Sequence, residues 1–331
     1  MFKTCIVGAG AIGGFIGTRL AMTGQTTVSA IAIGETLASL RSHGWQLETA
    51  GQTITAPVEA TDDAASLGHQ DLLVIALKGN VLPLVAPSLA PLIGPDTVVM
   101  PAMNGVPWWF NAGLEGRAGE PLTAVDPGGV IAAAIPAAQV LGCVVHASCT
   151  SPRAGVARHV MGNGLIVGEA FGGESARAAK VVGLLKAAGF DASLSRDIRY
   201  DVWYKLWGNL TMNPVSAITG ATVDRMLADP LVRGFCSAAM QEAARIGERL
   251  GCAISQDPEE RHAITAKLGA FKTSMLQDAE GHRPLEIDSI VAAVHELGQR
   301  VEVSTPSIAA LLGLSRLFGR MRGLYPEDGA H

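Results

Sequence analysis

The run Gly8-Ala9-Gly10-Ala11-Ile12-Gly13 constrains this chain's fold more than any other feature. It follows the apolar stretch Phe2–Val7 and opens a helix-like segment over residues 12–23, with Gly24 as a plausible stop. Glycines at this spacing permit a tight strand-to-helix turn, close approach of backbone to a ligand, and close packing of helix on strand. A helix N-terminus opening from such a turn offers free N–H groups and a favourable dipole to a pyrophosphate. The bland alternative is a glycine-rich turn without a ligand. The flanking strand and helix favour dinucleotide binding, with Gly8, Ala9, Gly10, Ala11, Ile12 and Gly13 at the phosphates.

The N-terminal half repeats this strand-and-helix texture. Residues 27–33, 72–77 and 97–101 are short β-prone runs, and the last two are apolar without alternation, as buried parallel strands are. An α/β fold with a mostly parallel sheet is expected. Residues 143–169, rich in Val, Gly and Arg with loose alternation, read as antiparallel strands added at the edge of that sheet. After Ser195 the periodicity changes: residues 200–212, 230–250, 259–272, 287–302 and 307–324 are long and helix-periodic. A chain of 331 residues exceeds what one core usually organises. The expected division is a Rossmann-type dinucleotide-binding domain over 1–195 and an all-helical substrate and catalytic domain over 196–331. That boundary rests on the change of periodicity alone.

Composition narrows the function. With 48% hydrophobic and 17% charged residues the chain is expected to fold by itself. A net charge of -5 with no long basic cluster offers nucleic acid or an anionic membrane nothing to hold, so small molecules are the expected partners. No stretch approaches the roughly 20 apolar residues of a membrane span. The apolar start lacks the basic region and cleavage site of a signal peptide. Five cysteines, odd in number and never spaced as CxxC, suggest neither disulfides nor a zinc site. A cytoplasmic, metal-free protein is expected.

Three groups of residues carry candidate chemistry. Lys78 closes the 72–77 run and Asn104-Gly105 follows the 97–101 run, the strand ends at which open α/β sheets bind ligands. Alone, the lysine reads as a solvated surface group and Asn-Gly as a common turn pair. Lys205, Asn209 and Asn213 recur every four residues and so share one face of a helix. A polar outer face is the alternative, but Tyr204, Leu206, Trp207 and Leu210 surround the stripe with apolar bulk, and asparagine is a poor helix former. Pro214 is expected to end or kink that helix. Ser274 and then Glu286, the latter flanked by apolar residues at a helix start, form the third group. A carboxylate there also serves as an ordinary dipole-stabilising residue.

In this order, the Gly8–Gly13 turn extended by Gly14, Leu77-Lys78, Asn104-Gly105, the Lys205/Asn209/Asn213-Pro214 helix, Ser274-Met275-Leu276-Gln277-Asp278 and Glu286-Ile287-Asp288 resemble the ketopantoate reductase (2-dehydropantoate 2-reductase) family over nearly the whole chain. The resemblance implies NAD(P)H-dependent reduction of a small 2-oxo acid to the 2-hydroxy acid, ketopantoate to pantoate, in pantothenate biosynthesis. It implies Lys205 as general acid, Glu286 on the substrate hydroxyl, Ser274 near the substrate carboxylate, and Asn209 and Asn213 lining the pocket. Lys78 and Asn104 would orient the cofactor or the substrate. The family commonly carries an arginine where Ile33 stands, and that arginine meets the 2′-phosphate of NADP; its absence opens the way to NAD. Two rivals remain at this point: another dehydrogenase, acting on a different 2-oxo, 2-hydroxy or β-hydroxy acid, and a non-catalytic dinucleotide-binding sensor. The long apolar helices of the second half leave room for a homodimer.

Overall fold

The computed structural model describes residues 2–327, and of residues 117 and 118 only the backbone. The chain runs through β1 (Phe2–Val7), α1 (Ala11–Met22), β2 (Thr26–Ile31), α2 (Gly34–His43), β3 (Trp45–Thr49), β4 (Gln52–Ala56), β5 (Glu59–Thr61), β6 (Leu72–Ile75), α3 (Leu82–Val85) and β7 (Val98–Pro101). It continues through α4 (Val130–Ala134), β8 (Leu141–Arg153), β9 (Val156–Glu169), α5 (Ala176–Ala187) and β10 (Asp191–Leu194). Helices follow: α6 (Ile198–Thr219), α7 (Val223–Ala228), α8 (Pro230–Arg249), α9 (Pro258–Ala266), α10 (Ser274–Glu280), α11 (Ala293–Arg300) and α12 (Pro306–Met321). A π-helical turn, Asp288–Ala292, leads directly into α11.

Two compact units result, Met1–Asn104 with Gly128–Asp201, and Gly105–Pro127 with Val202–His331. The first holds a parallel five-stranded sheet in the order β5-β2-β1-β6-β7. Both faces of its central strands are covered, so β6 and β7 are buried at every position and read as unbroken apolar runs. Registers Val7↔Ile31, Val7↔Ile75 and Ile75↔Pro101 bring the C-terminal ends of these strands to a common edge. The strand order reverses direction between β1 and β6, which makes their C-terminal ends the expected ligand crevice.

The expectation that residues 143–169 extend this sheet is corrected. β8 and β9 form a long antiparallel pair, but β9 also pairs in parallel with β3 and β10, and a β3–β4 hairpin completes a separate sheet in the order β10-β9-β3-β4. Helix α1 packs against this second sheet: a Cβ on Gly14 would lie 2.9 Å from the Cβ of Ala157, and one on Gly17 would strike Trp45 at 2.8 Å. Phe15 stacks on His159 with ring centroids 4.6 Å apart. Residues 13–18 and Leu20 of α1 are all buried, which is why that helix shows little amphipathic contrast.

The second unit has no strand among its described residues. Its boundary differs from the single break placed at Ser195, because residues 105–127 leave the sheet after β7 and belong with the helices. Their anchors are polar and distant in sequence. Val106 N–H donates to the Ser289 carbonyl at 2.7 Å. The Glu296 carboxylate accepts from the N–H groups of Thr123 and Ala124 at 3.0 and 2.9 Å. Arg300 donates to the Glu120 and Pro121 carbonyls and to Glu296. Burial of Trp108, Trp109 and Phe110 adds an apolar contribution of about 1.5–3 kcal/mol per side chain.

Helix α6 is fixed by its aromatic face. Trp207 Nε1 donates to the Met240 carbonyl of α8 at 2.7 Å, Trp203 stacks on Phe110 at 5.7 Å, and Trp203 occupies the space that a Cβ on Gly247 would need. Of the two outcomes expected at Pro214, an end or a kink, the helix does not end there. Proline removes one N–H, yet packing over the whole length of α6 outweighs that loss, and the stop comes at Gly220, whose φ of 71° closes the helix with an N–H bond to Ser216. Helix α12 is started by a buried carboxylate: Glu242 accepts from the N–H groups of Ser307 and Ile308 at 2.9 and 3.0 Å.

Candidate active site

The Gly8–Gly13 turn sits at the sheet edge. Gly8 N–H bonds the Ile31 carbonyl at 3.1 Å, and its φ of 91° is a conformation that only glycine adopts at low cost. A Cβ there would lie 2.6 Å from Leu77 and 2.8 Å from the Ala76 carbonyl, so the turn is pressed against the end of β6. A Cβ on Gly13 would be 2.0 Å from the Gly8 carbonyl oxygen, which enforces helix-on-turn packing. Gly10 differs: nothing lies within 4 Å of its missing side chain. The first helical bond runs from Gly14 N–H to the Gly10 carbonyl, so Ala11, Ile12 and Gly13 have N–H groups without an intrahelical acceptor. An open cradle with three such donors fits a dinucleotide pyrophosphate.

Lys78 and Asn104 emerge at the same edge, three residues beyond β6 and β7. Ladder bonds from Ala76 N–H to Val7 and from Ala102 N–H to Ile75 carry both chains past their strands. Lys78 also accepts at its carbonyl from Val81 and Leu82, so the turn after it starts α3. Gly105, with φ of 83°, sits where a Cβ would meet Ser289 at 2.5 Å. In the same unit, Ile33 follows β2 as the residue before α2 and is 76% exposed. Arg41 lies eight residues on, about 12 Å along the helix axis. It donates to the Ala60 carbonyl at 3.1 Å and pairs with Asp62 at 3.5 Å.

In the second unit, Lys205 and Asn209 are half-buried on α6, and Asn213 is 5% exposed. The Asn213 amide nitrogen is buried with no hydrogen-bond partner, an orphan donor that costs about 1–3 kcal/mol unless a ligand or water meets it. Ser274 is the exposed first residue of α10, whose start is capped by Thr273 accepting from Leu276 N–H at 3.2 Å. The loop after α10 is tied back by Arg283, which donates to Asp278 at 2.8 Å and to the Gln277 carbonyl at 3.0 Å. It delivers Glu286, half-buried, two residues before the π-helical turn. Turns of this kind cost helical hydrogen-bond geometry and concentrate at functional sites.

Sequence reasoning missed the contacts around Glu286. Leu285 N–H bonds the Leu324 carbonyl at 3.0 Å, and Tyr325 donates its hydroxyl to Asp288 at 2.7 Å. Nothing local to residues 285–288 signals these partners. Other chemistries find little support. Burial pushes the Cys5, Cys149 and Cys236 thiols up to about 11, 12 and 11, which disfavours thiolate nucleophiles. Among the described residues no group of three His, Cys, Asp or Glu side chains could hold a metal ion, and no helix is long and apolar enough to cross a membrane.

Comparison with known proteins covers almost the whole chain. The family described as ketopantoate reductase PanE/ApbA matches residues 4–172, and its C-terminal part matches residues 197–318. A 2-dehydropantoate 2-reductase from Mesorhizobium japonicum is 42% identical over 324 residues, 98% of this chain and 99% of that protein. The crystal structure of a candidate ketopantoate reductase from Ralstonia solanacearum MolK2 is 53% identical, with a TM-score of 0.94 over 98% of this chain and 99% of that one. A D-mandelate dehydrogenase, solved with NADH and anilino(oxo)acetate, shares the fold at 21% identity, with a TM-score of 0.82 over 98% and 100% of the two chains.

Proposed function

The chain belongs to the ketopantoate reductase family, a family of NAD(P)-dependent oxidoreductases, and from that premise we propose that it reduces 2-dehydropantoate to pantoate. The observation that carries the proposal is the α6 stripe: one ammonium and two amides on one helical face, with the deepest amide nitrogen buried and unpartnered. A solvated face would not bury an orphan donor, whereas a pocket awaiting the oxygens of a 2-oxo acid would.

The reduced nicotinamide, when bound, supplies the hydride. The Gly8–Gly13 turn would hold the pyrophosphate, and Lys78 and Asn104 would orient the ligands from the neighbouring strand ends. Lys205 polarises the keto oxygen as negative charge develops there and then delivers a proton to it. Asn209 and Asn213 fix the substrate without adding charge. Ser274 binds near the carboxylate, and Glu286 accepts a hydrogen bond from the substrate's terminal hydroxyl.

That last role makes the substrate testable. Ketopantoate and 3,3-dimethyl-2-oxobutanoate differ only by that hydroxyl. A site built around the hydrogen bond should prefer ketopantoate in kcat/KM, and Glu286→Gln should shrink the preference by about 10-fold. The assay is a panel of 2-oxo acids run with NADH and NADPH in parallel. Equal reduction of the two acids by the unaltered protein would remove the ketopantoate assignment and leave a broader 2-oxo acid reductase.

A homodimer belongs to the same reading. Helix α12 exposes Leu314, Leu317 and Met321 along one side, apolar surface of the kind that subunit interfaces cover. Light scattering that returns only monomer at micromolar concentration would remove this part.

A further inference from the structure

Glu286 sits between two contacts made by the end of the chain. On one side the Leu324 carbonyl receives Leu285 N–H at 3.0 Å. On the other the Tyr325 hydroxyl donates to Asp288 Oδ1 at 2.7 Å, with Arg316 Nη2 3.7 Å from the same oxygen. Tyr325 is itself seated tightly: a Cβ on Gly319 would lie 2.6 Å from the Tyr325 Cβ and 3.4 Å from Ile287 Cδ1. Guanidinium groups of Arg316 and Arg320 lie 5.9 and 5.7 Å from its ring centroid. The segment so held is the entry to a π-helical turn, a backbone form that persists only where its surroundings over-determine it.

We infer that Tyr325 is a positioning residue for Glu286, the carboxylate that accepts from the substrate hydroxyl: by holding Asp288, it sets the entry to the π-helical turn and thereby aims the side chain that reads that hydroxyl. The inference rests on the reading of Glu286 given above. The phenol suits the task, because burial and the adjoining Asp288 carboxylate push it up to about 12, so it stays a donor throughout any working pH range. Tyr325 acts through Asp288 and has no direct role on substrate or cofactor. Its effect should therefore appear in discrimination for the hydroxyl and leave hydride transfer to an unhydroxylated acid alone.

Tyr325→Phe keeps the ring and removes only the donor. The readout is the ratio of kcat/KM for ketopantoate to that for 3,3-dimethyl-2-oxobutanoate. In Tyr325→Phe this ratio should fall about 3- to 10-fold, mainly through a higher KM for ketopantoate, with kcat and the cofactor KM within about twofold of the unaltered protein. Asp288→Ala should reproduce the fall, and Asp288→Asn, whose amide oxygen still accepts from the phenol, should recover most of the ratio. Thermal melting of each variant separates lost folding from lost aim. A ratio unchanged in Tyr325→Phe but reduced in Glu286→Gln overturns the inference alone. A ratio unchanged in both overturns it together with the assignment of Glu286. Equal losses for both acids in Tyr325→Phe also overturn it, since they mark a merely structural role.

Discussion

Lys205→Met should leave a folded protein that still binds nicotinamide cofactor but turns over 2-oxo acid at least about 10²-fold more slowly, the lower end of what a positioned general acid contributes. Methionine matches the length of the lysine stem, so the apolar packing of Trp203, Leu206, Trp207 and Leu210 on α6 is kept while the ammonium is lost. The missing terms are polarisation of the keto oxygen and delivery of the proton. Both belong to the transition state, so kcat and kcat/KM should fall together. Cofactor affinity, measured by fluorescence titration, should change little, because the phosphate-binding turn belongs to the other compact unit. Near-normal turnover in Lys205→Met would remove the lysine from the acid role.

The second large effect concerns cofactor choice. Ile33 presents an exposed aliphatic side chain at the start of α2, and Glu35 in the first turn adds negative charge there. Neither favours a 2′-phosphate. Arg41 is engaged with Ala60 and Asp62 two turns further along, and an exposed ion pair of that kind contributes only about 0–1 kcal/mol, so its position matters more than its strength. We propose that discrimination for NADPH over NADH is weak in the unaltered protein. Ile33→Arg would restore a bidentate, charge-assisted contact of about 1.5–3 kcal/mol, and should raise the NADPH/NADH ratio of kcat/KM by about 10- to 100-fold. A strong native preference for NADPH that Ile33→Arg leaves unchanged would show that the phosphate is read elsewhere, with Arg41→Ala the next variant to measure.

The parts of the site legible in the sequence are those whose signal is local. A strand, a glycine turn and a helix lie within about twenty consecutive residues, and sterics alone dictate what glycines at positions 8, 10 and 13 allow. Lys205, Asn209 and Asn213 need only helical periodicity to share a face, and α6 supplies it through Pro214. Parallel strands such as β6 announce themselves because burial on both faces removes alternation. That α6 does not end at Pro214 has a non-local reason: Phe110, Met240 and Gly247, all far off in sequence, hold Trp203 and Trp207, and the residues on either side of the proline are buried.

By itself, then, the sequence determined an α/β chain with a phosphate-binding turn, a helical second half and an ammonium–amide stripe, because each follows from the sterics and periodicity of neighbouring residues. Tertiary structure decided the rest. It drew β9 away from the first sheet to partner β3, more than a hundred residues earlier in the chain. It docked residues 105–127 on the second unit through Glu296, 173 residues beyond Thr123, and brought Tyr325 to Asp288 across 37 residues. Hydrogen-bond partners at such separations are chosen by which unsatisfied groups the folded chain brings together, and a carboxylate or phenol carries no local sign of the donor or acceptor it will meet.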